Sequence, residues 1–306
     1  MSKPRKEISY LNVDKGSLLK TDLSNYTAAE LEQKTVQLLD QKIFGISFSP
    51  YMENQDPGQF SIISHQQIAD RLEIIRPHTE WIRTFSCTFG NEVVPRIAHE
   101  KSLKTIVGAW IGPDKGLNEV ELYNAIQVAK EGHADILAIG NEVLLRKDLE
   151  IEELIEYIRR VKKAVPNIAV GYVDAYYMFA NYPEIVEECD VILANCYPFW
   201  EHCALEISVE YMKQMYKLVQ KVSNGKPIII SETGWPTKGE QYGGAIPSYE
   251  NAMSYFIQTQ EWAKNENINI VYFSSFDEAW KISHEGEYGA YWGLWDKDGI
   301  FKFNQK

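Results

Sequence analysis

The sequence predicts a single (β/α)8 TIM barrel, an α/β fold in which eight parallel strands close into a cylinder surrounded by helices. Eight short apolar runs recur along the 306-residue chain at intervals of about 32 residues, close to the length of one strand–helix unit. The runs are almost continuously apolar, as strands covered by helices are. The competing fold, a doubly wound open sheet, usually has fewer strands, and no Gly-x-Gly-x-x-Gly turn follows the first run.

The elements follow from these runs and from the helical patterns between them. The predicted strands are residues 43–48, 81–87, 105–110, 136–139, 168–173, 191–196, 227–231 and 268–273. The helix signals are Thr27-x-x-Glu30, Ser64-x-x-Gln67, Asn118-x-x-Glu121, the 3.6-residue repeats over 151–165 and 211–222, and Ser248. Few residues follow the eighth run, so the last helix is expected to be short or missing. We expect one domain overall, with an N-terminal arm and capping helix over 1–40 and the barrel over 41–306.

Composition and charge limit the classes of molecule that the protein is expected to bind. The chain has 31 basic and 43 acidic residues and a net charge of −12, which argues against nucleic acid and anionic membrane surfaces. A neutral partner is left open. The 8 Trp and 18 Tyr outnumber the 12 Phe, and their flat apolar faces with a polar group suit sugar rings, although such residues also fill cores.

Neither a metal, a cofactor nor a membrane segment is predicted. Cys196, His202 and Cys203 could be zinc ligands, but their spacing matches no common site, and buried reduced thiols are the favoured interpretation. No apolar stretch is long enough to span a membrane. No apolar segment follows the basic start over residues 1–7, so we expect a cytoplasmic protein unless a signal has been removed.

Two glutamates stand where a barrel places its active site, at the C-terminal ends of the strands. Glu142 follows the fourth apolar run and Glu232 the seventh, and a carboxylate beside a buried strand is costly unless it is used or paired. Two carboxyl groups about 5 Å apart suit retaining glycoside hydrolysis, in which one donates a proton and the other attacks the sugar. Either glutamate alone would be read as a surface residue near a helix start.

At these residues the chain resembles glycoside hydrolase family 17, the β-1,3-glucanase family. The segments that carry the likeness are Gly140-Asn141-Glu142, Cys196-Tyr197-Pro198-Phe199, Ile230-Ser-Glu-Thr-Gly-Trp-Pro236, Phe276-Asp-Glu-Ala-Trp-Lys281 and Tyr288-Gly-Ala-Tyr-Trp-Gly-Leu-Trp295. The resemblance runs from about Gly45 to Asp298. Segments such as 48–51 and 171–176 are similar to the bacterial type more than to the plant type.

The resemblance implies a role for each matching residue. It makes Glu232 the nucleophile and Glu142 the general acid/base. The implied substrate-binding residues are Asn141 at the 2-hydroxyl of the sugar, Tyr197 at the nucleophile, Asp174 near the acid/base, the pair Glu278–Lys281, and the aromatic residues Tyr176, Trp200, Trp235 and Trp280 as sugar platforms. For the Glu278–Lys281 pair a purely structural role is an equal alternative, and each aromatic residue could instead pack under a loop.

The leading hypothesis is therefore a retaining β-1,3-glucan (laminarin-type) hydrolase that needs no metal or cofactor. A β-1,3-glucan transglucosylase would use the same two glutamates and differs only in the acceptor. A non-catalytic glucan-binding barrel is the alternative of another class, and the presence of both glutamates counts against it. A metal-dependent hydrolase would need a ligand set, and the six histidines show no His-x-His at a strand end. Endo or exo action and β-1,3 or β-1,6 preference stay open.

Overall fold

The protein forms a closed barrel of eight parallel strands. A computed structural model describes residues 10–22 and 26–303. Each strand pairs with the next in chain order, and β1 pairs with β8 to close the sheet. The strands are β1 (Ile43–Ser47), β2 (Thr79–Arg83), β3 (Lys104–Ala109), β4 (Ile136–Asn141), β5 (Ala169–Ala175), β6 (Val191–Asn195), β7 (Ile228–Thr233) and β8 (Asn269–Tyr272). This confirms the predicted (β/α)8 fold.

Helices connect the strands on the outside of the barrel. They are α1 (Ala28–Asp40), α2 (His65–Ile75), α3 (Val94–Glu100), α4 (Lys115–Lys130), α5 (Val143–Arg146), α6 (Ile151–Ala164), α7 (Met178–Asn181), α8 (Pro183–Glu188), α9 (Leu205–Val222), α10 (Tyr249–Glu266) and α11 (Ile282–Glu285). As far as residue 303, the elements after β8 are the short α11 and two 3-10 segments, so the prediction of a short last helix is confirmed. None of the helices in the described part of the chain could cross a bilayer.

The first helix packs beside the last long one. Helix α1 contacts α10 and buries Leu31, Thr35 and Leu39. Its start is the predicted capping box, in which the Thr27 hydroxyl accepts from the Glu30 amide while the Glu30 carboxylate accepts from the Thr27 amide at 2.7 Å. Because α11 is short, α1 occupies the outer position that a full helix after β8 would take in a standard barrel.

The core has two layers, as expected for strands buried on both faces. Side chains that fill the barrel include Ile106, Ala138, Val173, Val191, Leu193, Ile229 and Val271. A larger cluster lies between the sheet and the helices. Both layers come from the apolar runs, because successive side chains of a strand point to opposite faces.

Three local predictions need correction. Strand β2 ends at Arg83 instead of Cys87, because the chain bends there to bond with the neighbouring elements; the Cys87 amide donates to Glu121. Strand β7 extends to Thr233, so Glu232 lies inside it. Helix α4 begins after Asp114, whose side chain caps it, and the predicted start at Asn118 and Glu121 is wrong. The basic start over residues 1–7 lies outside the described residues.

Candidate active site

Glu142 stands directly after β4 in a backbone conformation that is uncommon for a non-glycine residue. Its φ is 54° and ψ is 30°, in the left-handed region, and it begins α5. Its amide donates to the Val173 carbonyl at 2.8 Å, and its carbonyl accepts from the Arg146 amide at 2.8 Å. The Leu144 amide, in the first turn of α5, donates to the Tyr172 hydroxyl at 2.9 Å. These bonds hold the strained turn, as is common at functional sites.

The surroundings of the Glu142 carboxyl group favour its neutral form more than water does. The residue is partly exposed at the mouth of the barrel, whereas its carboxyl is enclosed by protein. Burial, with a further contribution from the charge of Glu232, raises the pKa of Glu142 to about 7. Asn195 opposes this, because its amide donates to Glu142 Oε1 at 2.9 Å and so favours the charged form. A carboxylic acid with a pKa of about 7 can donate a proton near neutral pH.

Glu232 is held in the opposite environment. Its Oε1 lies 2.5 Å from Nη1 of Arg83, and its Oε2 accepts from the Tyr197 hydroxyl at 2.8 Å. The ion pair is almost completely buried, with 1% of the Arg83 side chain and 9% of the Glu232 side chain exposed. Arg83 also donates from Nη2 to Asn141 Oδ1 at 2.8 Å. A buried guanidinium beside the carboxylate stabilises its charged form.

Sequence reasoning missed Arg83 and Asn195, each of which bonds one of the two glutamates and the residue that precedes the other in the chain. Asn195 accepts from the Ser231 hydroxyl at 2.8 Å, which orients its amide nitrogen toward Glu142. Arg83 is a charge inside an apolar run, and Asn195 is an amide inside another. A polar side chain at a buried strand position needs a partner, and that signal could have identified both residues.

Asp174 lies in β5 and supports the turn at Glu142 instead of bonding to its carboxyl. It is fully buried and accepts from the Tyr172 hydroxyl, the Ala175 amide at 2.7 Å and the Leu145 amide at 3.4 Å. Burial and the nearby charge of Glu142 raise the pKa of Asp174 to about 8. Tyr172 and Asp174 together bind the amides of Leu144 and Leu145, the second and third residues of α5, just after Glu142.

The Glu278–Lys281 pair follows β8. Lys281 Nζ lies 2.5 Å from Glu278 Oε2, and the two side chains are 8% and 3% exposed. Glu278 Oε1 accepts from the Ser49 hydroxyl and from the Trp280 indole nitrogen at 3.0 Å. Both carboxylate oxygens therefore have partners within the protein. The pair joins the loops after β1 and β8, and a substrate-binding role for it stays a prediction.

Two of the four predicted sugar platforms are buried. Trp235 is 1% exposed, and its indole nitrogen donates to the Ile246 carbonyl at 3.0 Å. Tyr176 is 2% exposed, and its hydroxyl accepts from the Leu11 amide at 2.9 Å. Neither ring offers a face to a ligand, so these two expectations are wrong. Trp200 and Trp280 are partly exposed and stay candidates.

The cysteine and histidine residues that raised the question of zinc lie in different surroundings. Cys196 and Cys203 are buried free thiols. The His202 ring stacks on Tyr242, with 4.2 Å between the ring centroids. Within residues 10–22 and 26–303, no three His, Cys, Asp or Glu side chains are grouped as metal ligands.

Known proteins are similar to this chain in both sequence and fold. The sequence model of the BtgE/BtgC glycoside hydrolase domain matches residues 45–293, most of the barrel. The chain belongs to glycoside hydrolase family 17. The predicted family is thus confirmed, and so is the prediction of an O-glycosidase.

Two curated relatives come from fungi. A glucan 1,3-beta-glucosidase of Arthroderma benhamiae is 27% identical over 255 residues, covering 76% of this chain and 82% of its own length. A glucan 1,3-beta-glucosidase of Candida albicans is 25% identical over 259 residues, covering 76% of this chain and 84% of its own. The expected likeness to the bacterial type stays a prediction.

A solved family 17 structure is also similar. The beta-1,3-glucanosyltransferase of Rhizomucor miehei superimposes with a TM-score of 0.77 at 27% identity, covering 86% of this chain and 96% of that one. An active-site mutant of the same enzyme, in complex with laminaritriose, gives a TM-score of 0.76.

Proposed function

We propose that this protein is a retaining glycosidase that acts on β-1,3-glucan, with Glu232 as nucleophile and Glu142 as general acid/base. The observation that carries the proposal is the contrast between the two carboxyl groups. Glu232 is paired with a buried guanidinium, whereas burial and the neighbouring charge raise the pKa of Glu142 to about 7. A retaining mechanism needs this contrast, one ionised carboxylate and one protonated acid.

In the first step a carboxylate oxygen of Glu232 attacks the anomeric carbon, and the bond from that carbon to the glycosidic oxygen breaks. Glu142 gives its proton to the departing oxygen, so the leaving sugar departs as an alcohol. Tyr197 and Arg83 hold the two oxygens of Glu232 during the attack. We assign Asn141, whose Oδ1 accepts from Arg83, to the 2-hydroxyl of the reacting sugar.

In the second step Glu142 acts as the base. Its carboxylate takes a proton from a water molecule, the water oxygen attacks the anomeric carbon, and the bond to Glu232 breaks. The ester formed on Glu232 carries no charge, so the contribution that Glu232 makes to the raised pKa of Glu142 is absent in the intermediate. The pKa of Glu142 therefore falls between the two steps, as its change from acid to base requires.

The choice of β-1,3-glucan is supported by the relatives and by composition. Curated relatives are named glucan 1,3-beta-glucosidases, and a neighbouring structure holds laminaritriose. The net charge of −12 suits an uncharged polysaccharide more than an anionic one. Transfer to a sugar hydroxyl instead of water is the second candidate, favoured by the structural likeness to a glucanosyltransferase.

Proton NMR during the digestion of laminari-oligosaccharides tests the reaction directly. We expect the β-anomer to form first, because two displacements at the anomeric carbon restore its configuration. Products longer than the starting oligosaccharide would indicate transfer, and only shorter ones hydrolysis. Appearance of the α-anomer first would contradict the retaining mechanism, and absence of turnover would contradict the substrate class.

The pH dependence of kcat/KM should show Glu142 as the acid. We expect activity to fall as the pH rises through about 7, because deprotonation removes the proton that the leaving oxygen needs. Asn195→Ala should move this alkaline limb to higher pH. The Asn195 hydrogen bond lowers the pKa of Glu142 by stabilising its charged form, so the pKa should rise when that bond is lost. The measurement is kcat/KM for a laminari-oligosaccharide between about pH 4 and 10.

Asn124→Ala is the matched control, because its amide donates to the Cys87 carbonyl on the side of α4. This variant should keep the alkaline limb of the original protein. An unchanged limb in Asn195→Ala, or a shift to lower pH, would contradict the assignment of the limb to Glu142.

A further inference from the structure

A short N-terminal arm, residues 10–22, lies against the catalytic end of the barrel. It precedes α1 and lies outside the region that matches the family, residues 45–293. The Leu11 amide donates to the hydroxyl of Tyr176, which follows β5, and the Thr21 amide donates to the Glu206 carbonyl at 2.8 Å. The arm is thus attached to the segments that follow β5 and β6.

Alternate residues at the start of the arm face the barrel. Leu11 and Val13 pack against the core cluster, while Asn12 and Asp14 are exposed. Lys15, the first residue of a short 3-10 turn, is also partly buried.

Lys15 makes a polar anchor for the arm. Its ammonium donates to the Glu201 carbonyl and lies 5.1 Å from the centroid of the Tyr211 ring. The Glu201 carboxylate in turn accepts from the Tyr211 hydroxyl and is 6% exposed. This cluster fixes the position of the arm by contacts that need no ligand.

The arm brings an aromatic side chain to a neighbour of the acid/base. The rings of Tyr10 and Tyr177 meet edge to face, with 6.2 Å between their centroids and 62° between their planes. Tyr177 lies two residues after the end of β5, and β5 is bonded to the acid/base residue, because the Glu142 amide donates to the Val173 carbonyl at 2.8 Å. Tyr177 thus links the arm to the strand that neighbours Glu142.

Much of the Tyr10 side chain is exposed to solvent. It remains 59% exposed after packing on Tyr177. A large aromatic ring at the end of the barrel where the catalytic residues lie, with an exposed surface and a polar hydroxyl, suits the apolar face of a sugar ring. The acid/base must lie against the departing oxygen, so the leaving sugar lies on the Glu142 side of the reacting sugar.

We propose that Tyr10 and Tyr177 form a distal sugar-binding position on the leaving-group side of the cleft, held there by the arm. It rests on the proposed function, and its ligand is a β-glucosyl unit of the leaving chain, or of the acceptor chain in transfer. Lys15 is a positioning residue for it. The division of the domain into an N-terminal arm with its capping helix, residues 1–40, and the barrel, residues 41–306, likewise stays a prediction.

Cleavage of reducing-end-labelled laminarihexaose and laminaritriose by Tyr10→Ala tests this position. We expect kcat/KM for the hexaose to fall about three- to tenfold, with the triose little changed, because only the longer chain reaches Tyr10. The labelled fragments should become shorter, since the variant binds fewer sugars on the leaving-group side. Lys15→Met, which loosens the arm and keeps both rings, should act in the same direction.

Tyr123→Ala is the matched control, since this tyrosine lies on α4 and is 64% exposed. It should leave kcat/KM and the product pattern unchanged, and thermal unfolding should show that all variants are folded. Equal losses on both substrates, no loss, or longer labelled fragments would overturn the distal position while leaving the catalytic assignment intact. No turnover of either substrate by the unaltered protein would overturn the proposed function and the distal position together.

Discussion

Replacing Glu232 by alanine should lower turnover of laminari-oligosaccharides by about four orders of magnitude or more, because the nucleophile is lost. The variant should also be less stable by about 3–5 kcal/mol, because the buried Arg83 guanidinium loses its carboxylate and keeps its bond to Asn141, so thermal unfolding must show that the assayed protein is folded. Added azide should restore part of the activity by attacking the anomeric carbon once. The product would then be an α-glycosyl azide, identified by proton NMR.

Glu142→Ala provides the complementary result. A substrate with a good leaving group needs no proton, so its first step should proceed and the glycosyl-enzyme should accumulate. Azide would attack this intermediate and give the β-glycosyl azide, the product of two displacements.

Glu119→Ala, which removes an exposed carboxylate paired with Arg160, is the control and should retain full activity. If the two azides were exchanged between the Glu232 and Glu142 variants, the roles proposed here would be reversed.

Arg83→Met should harm both stability and catalysis. It leaves the Glu232 carboxylate buried without its cation, and breaking a buried ion pair in this way costs about 3–5 kcal/mol of unfolding free energy. It also removes the bond that holds Asn141, so we expect kcat to fall by about two to three orders of magnitude. Urea denaturation at pH 7 and steady-state kinetics on the folded fraction measure the two effects.

Arg160→Met is the matched control for Arg83→Met. Its guanidinium pairs with Glu119 at the surface, where the two side chains are 45% and 52% exposed. Loss of such a pair should cost less than about 1 kcal/mol and leave kcat unchanged. Similar stability in the two variants would show that the Arg83–Glu232 pair is not needed for folding, and unchanged kcat in Arg83→Met would contradict its place beside the nucleophile.

The sequence was sufficient for the barrel and for the position of both glutamates. Apolar runs identify the strands of the barrel because both faces of a parallel strand are buried. Glu142 and Glu232 are recognisable because they are charged residues directly after such runs. The contacts between strands were harder to predict, because Arg83 and Glu232 are far apart in the chain and come together only when the barrel closes.

Burial of single aromatic residues was the least predictable feature. Trp235 and Trp200 both follow strand ends, yet only Trp200 is partly exposed. The difference depends on the loop that ends near Ile246, whose carbonyl bonds to the Trp235 indole. Loop paths of this kind depend on many weak contacts, and residue spacing contains little information about them.

The position of α1 beside α10 has a consequence for how the chain folds during synthesis. Pairings such as Lys34 with Glu261, and β1 with β8, join residues more than 200 positions apart. Closing so long a loop costs chain entropy before any contact is gained, so these pairings form late. During synthesis from the N-terminus, the apolar side of α1, with Leu31 and Leu39, therefore stays uncovered until α10 has left the ribosome. Premature release of the growing chain would expose that surface to aggregation.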